Sequence, residues 1–302
     1  MKRRKVFPGE VHHVYQRTVG GVLVFYSASD YLVFFTLFCT IAKRSGVRIL
    51  ALCPMVDHLH HVCVVDGRKQ LSDFVKIYTQ EFAKIWNRSR GRKGSLFHPR
   101  FGSAPKIGGK KVRTALAYND NNPVERKLVE KAEEYRWNFL SYATGETPWS
   151  APVDKDKISR PMQLAMEEMS RLYNLGKYLG YRQLERWSKR LKQSEFQQLI
   201  DYIITLWNIL DYDEAASYYG SFDKMIRAIH DNTGSEWDIH EEIDPYSDAV
   251  YADCTRILLQ GGYIKDVNQI PSLPEERKHA LLELLQSRTV AKRRQLYKYL
   301  HL

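Results

Sequence analysis

The chain is short of the features that mark exported or membrane-held proteins. It has 4 cysteines, Cys39, Cys53, Cys63 and Cys254, with no CxxC pair and no disulfide-like spacing. That pattern suits a reducing compartment and argues against a thiolate metal site. Long apolar runs are missing too. The longest, residues 31–42, ends in Lys43-Arg44, well under the roughly 20 residues that cross a bilayer. The basic start MKRRK leads into Pro8, Gly9 and Glu10, where a signal peptide needs its apolar stretch. The expectation is a soluble, cytoplasmic protein with no membrane partner. Acidic residues are missing locally, since residues 82–119 hold 10 Lys and Arg and no Asp or Glu. A solvated surface normally mixes both signs. A one-sign run that also carries Trp86, Phe97 and Phe101 suits a track for a phosphate backbone with stacking aromatics.

What is present divides the chain in two. The net charge is +11, but residues 1–150 hold 25 Lys and Arg against 12 Asp and Glu, and the remainder holds 21 against 23. At 302 residues and 44% apolar the chain can bury a sizeable core. In the first half, residues 11–19 are rich in β-branched and aromatic side chains and predict a strand. A nearly all-round apolar helix follows over residues 31–44, capped by Ser29 or Asp30 and stopped at Ser45-Gly46. Strands at 48–53 and 59–65, a helix at 71–87 and a fourth strand or edge within 95–107 complete a β, α, β, β, α, β order. That order predicts an α+β fold, a ferredoxin-like two-layer sandwich with helices on one face of an antiparallel sheet. A further helix is expected from Lys110 to about Asn122, ending or kinking there because a residue before proline resists helical geometry.

The third strand carries His58 and His60. Alternation puts these two imidazoles on one face and Leu59 and His61 on the other, a start for a metal site. Without a further partner they read more readily as core or rim histidines. On the later helix Tyr118 and Asn122 are four apart and stand one above the other.

These residues carry a resemblance. An apolar strand running into Met55-Val56-Asp57-His58-Leu59-His60, then Gly94-Ser95-Leu96-Phe97-His98-Pro99-Arg100-Phe101, then Tyr118 through Asn122-Pro123-Val124, and Glu134-Tyr135-Arg136-Trp137 follow a set order. In that order and spacing they resemble the single-tyrosine HUH transposases, and among them the REP-associated tyrosine transposases, over residues 5–145. Family members commonly have Pro-Asn where Val56-Asp57 stands here, and an apolar residue where Asn119 stands. The resemblance implies a tyrosine nucleophile, Tyr118, and metal ligands His58, His60 and Asn122. Two imidazoles and an amide oxygen would leave positions open for phosphate oxygens around Mg²⁺ or Mn²⁺. It also implies cleavage and rejoining of single-stranded DNA at hairpins through a 5′-phosphotyrosine. The expected DNA contacts are Lys84, Arg88, Arg90, Arg92, Lys93, Arg100, Lys110, Lys111 and Arg113. Homodimer formation is left open.

The domains expected are residues 1–147, catalytic, and residues 155–302, helical, after a linker holding Pro148, Pro152 and the charged run Asp154 to Lys157. Helical patterns cover 162–175, 181–190 and 194–210. Residues 211–253 hold 12 acidic and 2 basic residues and would repel DNA. Residues 274–302 turn basic again and resemble a partial helix-turn-helix. Two other readings compete with the strand-transfer enzyme. One is a catalytically idle DNA-binding or regulatory protein of the same fold; the other is a metal-dependent phosphodiesterase that uses water in place of Tyr118.

Overall fold

The computed structural model describes residues 5–154, 157–231 and 246–302. Three parts of the sequence reading lie outside the described residues: the basic start at 1–4, Lys155 and Asp156 of the expected linker, and positions 232–245 of the acidic stretch. Among the described residues no helix is long and apolar enough to cross a membrane.

The first half is built on four strands, β1 (Val11–Arg17), β2 (Arg48–Pro54), β3 (His58–Val64) and β4 (Gly102–Lys106). They form one sheet in the order β2-β3-β1-β4, with every neighbouring pair antiparallel. Helix α1 (Ala28–Ser45) joins β1 to β2, α2 (Arg68–Ser89) joins β3 to β4, and α3 (Gly109–Glu125) follows β4. The start of α1 is set by Asp30, whose carboxylate accepts from the backbone N–H groups of Tyr26 and Ser27 at 3.0 and 3.1 Å. Ser27 is therefore the cap, and the expected Ser29 and Asp30 lie inside the first turn. Gly46 ends the helix at φ 64°, a left-handed conformation that side chains with a Cβ resist.

Strand alternation sorts the sheet into two faces. Val14, Leu59 and Cys63 meet α1 and α2, while Val11, Val62 and Val64 meet Val112, Leu116 and Ala117 of α3. The expected two layers with helices on one face are thus corrected to three layers, because α3 closes the second face. Helix α3 also runs on through Val124 and Glu125, past the break expected at Asn122. So close to the helix end Pro123 removes one hydrogen bond, and the turn beyond is closed by Arg126 and Leu128 N–H groups bonding Asn122 and Pro123 carbonyls.

The second half comprises α4 (Arg160–Asn174), α5 (Tyr181–Arg190), α6 (Gln193–Trp207), α7 (Tyr212–Ser217), α8 (Phe222–Asp231), α9 (Val250–Gln260), α10 (Glu275–Arg288) and α11 (Arg293–Leu300). It wraps the first. Leu199, Ile200, Ile203 and Trp207 of α6 share one core with Phe34, Phe35 and Phe38 of α1. This explains why α1 is apolar all round: one side faces the sheet and the other faces α6. Each of those phenylalanines is fully buried, so truncation to alanine would cost about 3–5 kcal/mol. Helix α8 covers α3 through Met225 and Ile229. Helices α9, α10 and α11 form a second core that takes in Leu23 and Val56, at the edges of the β1–α1 and β2–β3 connections.

Candidate active site

The hairpin that turns β2 into β3 sets the first two side chains. Met55 N–H bonds the His58 carbonyl at 2.8 Å, so β3 begins at His58 and its alternation fixes the next positions. In register, Arg17 lies opposite His58 and Tyr15 opposite His60. His13, two residues before Tyr15, is therefore on the same face as both histidines. The rings of His58 and His60 are 4.9 Å apart and nearly perpendicular, at 89°. From α3, which crosses that face, the Tyr118 ring stands 5.7 Å from His60 and 5.6 Å from His13.

A cavity of about 530 Å³ opens there, lined by His58, Tyr118 and Asn122. The structure thus brings Tyr118, Asn122 and His58 to one space, with His60 directly behind. All of this comes from a single chain. His61 points to the opposite face, among Phe38, Phe74 and Tyr78. There burial, with the nearby His13 and His60, holds its pKa down to about 3.

Second partners orient both imidazoles. His58 Nδ1 is 2.5 Å from Asp57 Oδ1, with both side chains about nine-tenths buried. With that N–H donating to the carboxylate, Nε2 becomes the ring's lone-pair nitrogen. His60 Nδ1 is 3.1 Å from His13 Nε2; the tautomer in which His60 donates again makes Nε2 the lone-pair atom. Burial pushes the Asp57 carboxyl up, but the charge and hydrogen bond of His58, with Lys298 at 3.3 Å and Arg126, outweigh it and hold the group well below the usual carboxylate range. The Asn122 amide nitrogen donates to the Tyr118 carbonyl at 2.9 Å, which leaves Oδ1 as the acceptor atom of that side chain.

The lone-pair atoms on this side are thus two imidazole Nε2 nitrogens and one amide oxygen, with Glu125 also on the cavity wall. Among the described residues no group of three His, Cys, Asp or Glu side chains gathers to hold a metal, and all four cysteines are buried.

The residues expected to touch DNA separate into two groups. Lys84, Arg88, Lys93, Arg100, Lys110, Lys111 and Arg113 are exposed, although Arg113 also donates to the Tyr218 carbonyl at 3.2 Å. Arg90 does not belong to this surface. Its guanidinium is fully buried against the Asp30 carboxylate, donates to Asn268 and lies over the Trp86 ring at 4.3 Å. Arg92 is half-buried and braces its own loop through Asn87 Oδ1 and the Ser95 carbonyl; burial lowers its pKa. Of the aromatics expected to stack on bases, Trp86 and Phe97 are core residues and Phe101 is half-buried. Beside this segment a groove of about 1060 Å³ is lined by Arg68, Lys76 and Arg100, and His98 lines both the groove and the cavity.

Several residues of the cavity have functions that the sequence signals weakly or not at all. Arg17 was signalled by alternation, since His13, Tyr15 and Arg17 put polar atoms on one face of β1. Asp57 stood in the motif but was counted as a departure from it. Arg126, Arg294, Tyr297 and Lys298 also line the cavity; the last three come from α11, whose basic residues the sequence marks as a partial helix-turn-helix, with no local sign that this helix lies beside Tyr118.

No protein-family model matches the chain, and no curated protein matches it. Among solved structures, one described as a REP-associated tyrosine transposase bound to a REP hairpin is similar over 53% of this chain and 97% of its own length, at 16% identity and a TM-score of 0.41.

Proposed function

We propose that this chain is a metal-dependent DNA strand-transfer enzyme that cleaves and rejoins single-stranded DNA beside hairpins, with Tyr118 as nucleophile on a ferredoxin-like core. The observation that carries the reading is the convergence of Tyr118, His58 and Asn122 on one cavity, with His60 at 4.9 Å from His58. A tyrosine alone would be an ordinary buried ring. A tyrosine facing two histidines whose Nδ1 atoms are already engaged is a nucleophile beside a site for a Lewis acid.

A divalent cation bound by His58, His60 and Asn122 would polarise the scissile phosphate and favour the phenolate. In the forward step the Tyr118 Oη–phosphorus bond forms as the phosphorus–O3′ bond breaks. The phenol proton is lost, and the leaving 3′-oxygen takes up a proton to give a free 3′-hydroxyl. Arg17 and Arg126, on the cavity wall, offset the charge of the non-bridging oxygens. The reverse attack by a second 3′-hydroxyl restores a phosphodiester and frees the tyrosine, so neither ATP nor water is consumed. Asp57 holds His58 in one tautomer throughout.

The test is to incubate the protein with labelled hairpin DNA carrying a single-stranded extension, with Mn²⁺ or Mg²⁺, and to run a denaturing gel. A slow-moving protein–DNA adduct supports the proposal. Cleavage without adduct in wild type and Tyr118→Phe alike would assign the attack to water, and binding with neither would make the chain an idle DNA-binding protein.

A further inference from the structure

Helix α11 is amphipathic in a way its packing makes specific. Leu296, Tyr299 and Leu300 are fully buried in the second core with Leu281, Leu282 and Leu285 of α10. Arg294 and Lys298, four residues apart, take the opposite face and line the cavity that holds Tyr118. The helix is pinned to the first half at several points. Leu23 N–H bonds the Lys298 carbonyl at 3.2 Å, the Tyr26 hydroxyl bonds the Tyr299 carbonyl at 2.5 Å, and His301 Nε2 bonds the Leu23 carbonyl at 2.8 Å. Lys278 Nζ closes the end by bonding the His301 carbonyl at 3.0 Å. So the last helix of the chain forms a built wall of the cavity in the first half.

We propose that α11 is the second wall of the DNA channel, with Arg294 and Lys298 receiving backbone phosphates of the single strand next to the scissile one; this rests on the strand-transfer reading of the cavity. The charges favour it. Of the ionisable side chains on the wall, Arg17, Arg126, Arg294 and Lys298 are cationic and only Asp57 and Glu125 are carboxylates. The surplus stays positive with Asp248 counted as well, 3.8 Å behind Arg126. Lys298 also lies 3.3 Å from Asp57, which ties this wall to the carboxylate that orients His58. Arg293 extends the basic edge outward, its guanidinium over the Tyr297 ring at 5.6 Å. A single strand entering between α3 and α11 would thus pass inward to Tyr118 beside Arg294 and Lys298, two cations one helical turn apart.

The experiment measures metal-free affinity in full-length Tyr118→Phe protein, so that no covalent capture intervenes. The probes are a synthetic hairpin with a single-stranded extension and the same hairpin cut blunt. Replacing Arg294 by Gln and Lys298 by Met together should weaken binding of the extended probe about tenfold, reduce its salt slope by about 1.4 (two contacts on a single strand), and leave the blunt probe unchanged. Arg294→Gln alone, which leaves the Lys298–Asp57 pair intact, should give about half of that slope change, and Lys298→Arg should restore near wild-type binding; unchanged thermal melting of these two variants guards against misfolding. Equal affinity of the double variant for both probes and unaltered slope would overturn the proposal. Tighter binding with more adduct in the Tyr118 background would also overturn it, making α11 a plug. If extended-probe affinity falls as expected while wild type forms no adduct, the channel stands and only strand transfer fails.

Discussion

At the scale of single residues, the cavity depends on side chains that hold other side chains. Asp57→Asn keeps the shape but removes the charge that fixes His58, and losing such a partner of a metal-ligating histidine typically weakens metal binding by about 10- to 100-fold. Titration of Mn²⁺ by electron paramagnetic resonance should show that loss with hairpin affinity little changed; equal Mn²⁺ affinity in both proteins would remove Asp57 from the account. Arg90 illustrates the opposite role. Its charge partner Asp30 is also fully buried, so Arg90→Gln strands a carboxylate in the core and should cost about 3–5 kcal/mol in chemical denaturation. Replacing exposed Arg88 and Lys93 should leave stability alone and flatten the salt dependence of DNA binding instead. Nothing near Arg90 in the sequence distinguishes it from Arg88. The difference arises because Asp30 and Asn268, distant in the chain, meet on one guanidinium.

At the scale of elements, strand and helix periods were readable because each element buries one stripe against a neighbour. Alternation puts the two histidines of β3 on one face and the four-residue helical repeat puts Tyr118 above Asn122, while the choice of that tyrosine comes from the family resemblance. What could not be read was the end of α3 and the role of α11. The first depends on how nearby carbonyls are satisfied around Pro123; the second depends on which remote element Leu296, Tyr299 and Leu300 pack against. The docking of α11 makes a pH prediction. His301 is held down to about 3 chiefly by burial, with Arg92, Lys278 and Arg90 adding to it and the Leu23 carbonyl opposing it. The folded protein keeps this ring neutral while the unfolded chain protonates it near pH 6.5. Its contribution is therefore complete above about pH 6.5 and is lost as pH falls toward 3, by at most about 1.4 kcal/mol per pH unit. His301→Gln, which retains an N–H for the Leu23 carbonyl, should flatten the decline of stability between pH 6 and pH 4. An identical decline in both proteins would count against this.

At the scale of the whole molecule, the composition break near Pro148 marks a change of charge and secondary structure, while the packing runs across it. Core residues of α6 and α1 are shared, α8 seals α3, and α11 walls the cavity. We therefore expect one cooperative unfolding transition, with far-ultraviolet circular dichroism and tryptophan fluorescence coinciding in urea. Two separated transitions would show that the halves fold independently.

If Tyr118 is the nucleophile of a metal-assisted strand transfer, one variant should separate binding from covalent linkage. Tyr118→Phe keeps the ring that packs at 5.7 Å from His60 and removes only the attacking oxygen. With Mn²⁺ and an extended hairpin, wild type should give a covalent adduct that survives denaturation, and Tyr118→Phe should give none while binding the same hairpin within a few fold. An adduct of undiminished yield in Tyr118→Phe would show that another group makes the covalent bond.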